Sequence, residues 1–136
     1  MQHLQSLGQA EAERALQAVL RHAERPMAVA VTDVHGDLLA CLRMDGAPTR
    51  VLEHAIRKAY TAAKMGRDTL RFKADLAERN GSLAEWGDAR LTTLQGGVVV
   101  KFEGHVAGGV GVGGNTLERD TEVAQAVLAA ILEEAH

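Results

Sequence analysis

Apolar positions recur along this chain with two rhythms. Leu4, Leu7, Ala12, Ala15, Leu16, Val19, Leu20 and Ala23 are spaced mostly by three and four, which lays one apolar stripe along a helix. Pro26 ends that segment, because the residue before a proline is pushed out of helical φ/ψ. Residues 27–33 alternate instead, with Met27, Val29 and Val31 on one side and Ala28, Ala30 and Thr32 on the other. Both sides are apolar or small, so this strand is expected between two layers. Gly36 sits in a turn, and residues 38–44 read as the returning strand of a hairpin.

Thr49 reads as the N-cap of the next helix, which carries Leu52, Ala55, Ile56, Ala59, Ala62 and Ala63 on one face. Gly66 suits its left-handed C-terminal position. A more polar helix is expected from Asp68 or Thr69 to about Arg79, followed by an irregular stretch or short helical turn over 82–89 with Trp86 as a buried anchor. Residues 90–94 offer a short strand, and 98–102 a strand rich in β-branched residues. Glu103-Gly104 then reads as a tight turn, and 105–112 as the return. A last helix runs from Leu117 or Glu118 to Glu134, striped by Val123, Ala126, Val127, Ala130 and Ile131. Strands joined by tight turns pair antiparallel, so the expected class is α+β with helices packed on an antiparallel sheet.

Six of the 14 glycines fall within 104–114. Glycine weakens a strand interior, so this density requires either close approach of another group or a sharp turn. In strict alternation Val106, Gly108, Val110 and Val112 share one face, and Ala107, Gly109 and Gly111 the other, with His105 at its start. One face is bulky and one nearly bare. A helix, or a ligand, can approach the bare one. The exit toward Asn115 precedes a helix N-terminus and can favour an anion. No Gly-Lys-Ser/Thr follows, so the stretch is not a P-loop, and its hairpin setting excludes a dinucleotide fingerprint.

The totals narrow the picture further. At 136 residues the chain is read as one domain over 1–136, and its net charge of −3 without a basic run argues against a nucleic-acid partner. Cys41 is the sole cysteine, so neither an internal disulfide nor a thiolate metal cluster is available. No secretion signal and no membrane-spanning apolar run stand out, which makes a cytoplasmic location the default and a membrane partner unexpected. Aromatic residues are 3% of the chain, leaving few stacking partners for a flat ligand.

Candidate chemistry is sparse. Arg43 can pair with Asp45 to pin a loop, or offer its planar fork to a carboxylate. Lys58 lies among alanines on the inner helix. It either snorkels outward or stays inside with a partner such as Asp33 or a ligand carboxylate. His22, His35, His54 and His105 are candidate imidazole ligands, set apart from His3 and His136 near the termini. His54 precedes Lys58 by one helical turn, and His105 opens the glycine strand. Each also reads as an exposed histidine, and no zinc pattern is present. Cys41 reads as an inert core thiol, Asp33 and Asp37 as turn caps, and Glu118, Asp120 and Glu122 as complements to a helix dipole.

Several pieces in order resemble the GlcG/HbpS family, which includes the C-terminal domain of PduO-type proteins. They are Val31-Thr-Asp33 with Gly36, Arg43-Met-Asp-Gly46, Lys58-Ala-Tyr-Thr-Ala62, Gly96-Gly97, and the glycine stretch to Gly114 followed by Asp120. The similarity spans essentially the whole chain. It implies a profilin-like, five-stranded antiparallel sheet of order 2-1-5-4-3 with helices on both faces. It also implies a homo-oligomer, and haem or a related tetrapyrrole as the ligand of some members. Two departures stand out: Gly113 replaces a serine common in the family's Gly-Val-Ser-Gly, and Val99 stands where a proline is frequent.

Three readings of function follow. The first is a small oligomeric ligand-binding protein holding haem, by resemblance, with His54 and His105 ahead of His22 and His35 as candidate haem ligands. The second is a small catabolic enzyme or accessory protein acting on a compact organic carboxylate near Arg43, Lys58, Gly111 and the Gly113-Gly114-Asn115 exit. Its acid or base would come from Asp33, Asp45, His54 or Lys58. The third is a structural subunit.

Overall fold

A computed structural model describes residues 5–134 of the chain. Its elements are α1 (Gln9–His22), β1 (Ala28–Thr32), β2 (Leu38–Arg43), α2 (Thr49–Met65), α3 (Thr69–Glu78), a 3-10 turn (Leu83–Trp86), β3 (Gly97–Phe102), β4 (His105–Gly113) and α4 (Leu117–Glu134). The strands form one antiparallel sheet in the order β2-β1-β4-β3. The five-stranded sheet of order 2-1-5-4-3 is therefore corrected to four strands. Residues 90–94 do not join a ladder. Thr92 N donates to Thr61 Oγ1 on α2 at 2.9 Å, and Leu94 N to Thr92 Oγ1 at 3.2 Å. Side-chain acceptors have taken the amides a strand would pair.

The two faces of the sheet are built differently. Val29, Val31, Val98, Val100, Val110 and Val112 pack against α1 and α4 through Ala15, Val19, Val123, Val127 and Ile131. On the other face Ala28 and Ala30 meet Val51, Ala55 and Ala59 of α2. Here α2 lies almost on the backbone of β4. A Cβ at Gly109 would overlap the carbonyl oxygen of Ala59, and one at Gly111 that of Ala55. The bare face is where α2 sits.

Strict alternation fails at the far end of β4. Val100 pairs with Gly108 while Lys101 pairs with Val106, so Ala107 is the extra residue of a bulge. Ala107 consequently joins the α1/α4 core, and Val106 turns toward the α2 side beside Gly66. Ala107 O accepts from Leu7 N at 2.8 Å, which ties the segment before α1 to the sheet.

Three local expectations also change. α1 starts at Gln9, where Glu11 Oε1 accepts from Gly8 N at 2.7 Å; Leu4 lies outside the described residues. Pro48 takes the N-cap of α2, so Thr49 is its first helical residue, where the fixed proline φ leads the chain in. Trp86 is 46% exposed, set edge-on to Phe72 and under Arg79, so it is a lid on α3 and not a buried anchor.

Candidate functional site

Arg50, His54 and Lys58 follow one another at intervals of four along α2, which aligns them on one flank. The glycine strand lets that helix settle so low that Lys58 is carried inside, 2% exposed. Its Nζ donates to Val112 O at 2.7 Å and to Asp120 Oδ2 at 3.3 Å. Asp120, also 2% exposed, accepts at Oδ1 from Asn115 N at 2.9 Å. The first turn of α4 holds it there: Asp120 N donates to Thr116 O, and Thr116 Oγ1 accepts from Arg119 N at 3.1 Å. Gly96 leaves room for the pair, since a Cβ there would lie 2.9 Å from Lys58 Nζ and 3.1 Å from Asp120 Cβ.

Burial acts on both partners. It pulls the Lys58 ammonium below its ordinary 10.5, against the attraction and hydrogen bond of Asp120. It pushes the Asp120 carboxyl above its ordinary 3.8, against Lys58 and the Asn115 amide. Each group depends on the other to stay charged.

This pair is the floor of a pocket of about 490 Å³. Arg25, Arg50 and His54 stand on its walls, with Val51 and Leu94 as apolar surface and Gly113, Gly114, Asn115 and Thr116 leading into α4. With Lys58 and Asp120 paired to each other, Arg25 and Arg50 are the permanent cations of the lining, and the α4 N-terminus adds partial positive charge. The pocket is suited to an anion. A wider recess of about 700 Å³ runs along α1 and α4 on the other side of the sheet. Of its charged lining residues, Arg14 pairs with Glu11, outside the recess, at 3.4 Å.

Of the residues picked out in the sequence, Lys58, His54, Gly113, Gly114 and Asn115 meet in the pocket. Gly111 lies beneath Ala55, closed off by α2. Arg43 does not line the pocket; its Nη1 donates to Ala47 O at 2.6 Å and fixes the β2–α2 loop. Asp45 is exposed in that loop. Asp33 Oδ1 accepts from His35 N and Asp37 N at 2.9 and 3.0 Å, which holds the first hairpin turn. His105 is exposed at the opposite end of β4, eight residues and so roughly 26 Å from Gly113 at the usual strand rise. His22 and His35 are exposed; His3 and His136 lie outside the described residues.

Arg25, Arg50 and Asp120 were not singled out for the site. Arg50 was readable from its place one turn before His54. Asp120 stood among the matched pieces, but its partner is 62 residues away and nothing local marks it. Among the described residues, no group of three or more His, Cys, Asp or Glu side chains is placed to hold a metal ion, and no helix is long and apolar enough to cross a membrane.

Known proteins share this fold. Over 133 residues the chain is 31% identical to corrinoid adenosyltransferase PduO of Salmonella typhimurium, covering 94% of this chain and 37% of that protein. It thus spans little more than a third of that curated relative's length. The crystal structure of HbpS superposes with a TM-score of 0.83 at 32% identity, covering 97% of this chain and 94% of that one. A PduOC–haem complex superposes with a TM-score of 0.82 at 27% identity, covering 92% and 94%. A family model described as haem degrading protein HbpS-like matches residues 7–129, and the chain belongs to this GlcG/HbpS family.

Proposed function

We propose that the protein binds haem, or a closely related carboxylate-bearing tetrapyrrole, in the pocket above Lys58 and Asp120. The observation that carries this reading is the placing of His54 with Arg25 and Arg50 around one recess. An imidazole is the usual axial donor to haem iron, and guanidinium forks suit propionates. Bound haem would supply the redox centre that the chain's own side chains lack. The chain itself supplies an anion-attracting wall and a floor whose ammonium is already engaged. The similarity to HbpS and to a PduOC–haem complex supports the same ligand.

Hemin titration followed at the Soret band tests it. We expect saturation near one equivalent per chain. His54→Ala should change the band and weaken binding at least tenfold, and Arg25→Gln with Arg50→Gln should weaken it without changing the band. An unsaturable response, or one indifferent to His54, overturns the reading.

One observation favours a second reading. Among the described residues no Phe, Tyr or Trp lines the pocket, so a flat macrocycle finds little stacking surface, whereas a compact organic carboxylate needs none. Density for such an anion against Arg50 and Gly114 in soaked crystals would support it; an empty pocket at high concentration would count against it. Self-association fits either reading. The edge strand β2 exposes Leu38 (48%) and Leu39 (37%), and light scattering should show more than one chain per particle.

A further inference from the structure

The two edges of the sheet are finished differently. At β3 the amides that face away from β4 are engaged by α3: Gly97 N donates to Thr69 Oγ1 at 3.0 Å, and Val99 N to Asp68 Oδ1 at 2.9 Å. The β2 edge has no such cover. Met44 N donates to Met27 O at 2.9 Å, and Leu42 and Ala40 pair with Val29 and Val31. Residues 40, 42 and 44 therefore turn their backbone groups toward β1, and by alternation Cys41 and Arg43 turn theirs outward. Leu39 is the extra residue of a bulge opposite Val31 and Thr32, which leaves its backbone unpaired as well. Among the described residues no side chain accepts from these three amides. The strand reads Leu-Leu-Ala-Cys-Leu-Arg, without the lysine or proline that commonly guards an edge.

The apolar layers on both sides of the sheet are open here too. Leu16 of α1 is a half-buried member of the α1/α4 core together with Ala40, Leu42 and Met44, and Leu20, one turn further on, is exposed. Leu52 and Ile56 of α2 are half-buried with Cys41 at the margin of the other core. Six residues make an edge about 20 Å long, and a helix about 10 Å across on each side makes the face about 25 Å tall. Such a face offers roughly 500 Å² per chain and roughly 1,000 Å² per pair, which reaches the size of a specific interface.

Charge selects the occupant. Asp37 and Arg43 stand exposed at opposite ends of β2. When β2 meets a second β2 antiparallel about Ala40, Cys41 faces Leu39, Leu42 faces Leu38, and Arg43 of each chain comes beside Asp37 of the other. Opposite charges then meet twice, and the outward amides of Cys41 find acceptors.

We propose that β2 is a self-recognition strand, through which two copies of the chain join edge to edge, antiparallel about Ala40, into one continuous sheet. The inference rests on the self-association expected above and gives it a surface and a register; it does not depend on the ligand.

Sedimentation velocity of the full chain over a concentration series tests it. The chain should form dimers or multiples of a dimer. Leu39→Lys should raise the dissociation constant at least about tenfold by putting a charge on the edge, and Asp37→Lys should do so by facing Arg43 with a like charge. Asp45→Lys makes the same charge change in the exposed β2–α2 loop, and Leu70→Lys alters the exposed leucine of α3; both should leave association unchanged. Cys41→Pro removes an outward amide and no bond to β1, so it should abolish the dimer and keep the far-ultraviolet circular dichroism spectrum, while Cys41→Ala keeps both. If Cys41→Pro does not fold, Leu39→Lys and Asp37→Lys decide. A monomer at every concentration overturns this inference and self-association together. Association indifferent to Leu39→Lys and Asp37→Lys, or lost on Leu70→Lys, overturns the β2 surface alone.

Discussion

The two faces of the sheet solve the same packing problem in opposite ways. On the α1/α4 face, valines from three strands interlock with valine, alanine and isoleucine, so side chains meet side chains. On the α2 face, Gly109 and Gly111 bring the strand backbone against the helix backbone. Side-chain contacts can repack when one atom is added or removed, whereas two backbones in contact have no rotamer to change. The rigid face is also the one that carries ionised groups inside. By lowering α2 onto β4 it places Lys58 Nζ within reach of Val112 O and Asp120. Close packing and chemistry are therefore one feature here.

The largest expected effect comes from breaking that contact. Gly111→Val would force β4 and α2 apart at Ala55. We expect a loss comparable with the whole stability of a domain this size, about 5–15 kcal/mol, seen as an unfolded far-ultraviolet circular dichroism spectrum or as insoluble protein. A folded variant with native Tm would show that the two faces do not differ as described.

Next is the buried pair. Asp120→Asn leaves the Lys58 ammonium desolvated with Val112 O alone, and should cost about 3–5 kcal/mol in chemical denaturation. Replacing both partners, Lys58→Met with Asp120→Leu, should be close to neutral or stabilising, because the desolvation of both charges disappears. The single variant should also show a pH signature. Burial holds the Lys58 pKa below 10.5 in the fold, so the unfolded chain binds more protons between the two values. Stability of Asp120→Asn should rise as pH increases through that window toward 10.5. A flat or falling profile would indicate that Lys58 is solvated.

On the forgiving face the effect should be smaller. Val110 is fully buried against α1 and α4, and Val110→Ala removes two methyl groups while leaving every backbone contact intact. A loss of about 2 kcal/mol is expected in urea, with an unchanged m-value.

The contrast between the faces was largely legible in the chain. Valine at Val110 and Val112 against glycine at Gly109 and Gly111 is a pattern of period two, and that period survives in the structure from Gly108 to Gly113. It breaks at Ala107, because a bulge adds a residue without changing the composition. Residues 90–94 carry strand-like Leu-Thr-Thr-Leu, yet Thr61 on α2 captures the Thr92 amide. That acceptor lies 31 residues away, beyond the reach of any local signal. The site divides in the same way. His54, Lys58 and the Gly113–Asn115 exit follow from helical spacing and glycine density. Arg25 arrives from the loop after α1, and Asp120 from the far end of the chain; tertiary packing alone brings them to the pocket.

The smallest effect tests the comparison within a single strand. Gly113 follows Gly111 by one full period. Its environment is nevertheless different. A Cβ there would meet Val51 O at 3.2 Å and Val51 Cγ1 at 3.3 Å, so a shift of a few tenths of an ångström suffices, and its φ is not in the left-handed region. Gly113→Ser should therefore cost less than about 1 kcal/mol. That Cβ would lie 3.6 Å from Lys58 Nζ, which brings the new hydroxyl to the edge of the buried ammonium and into the pocket. Thermal melts should barely change, while hemin affinity or anion affinity should. If Gly113→Ser instead unfolds the chain as Gly111→Val does, the backbone contact between α2 and β4 extends to the pocket itself. The floor at Lys58 would then be closed by packing and not open to a ligand.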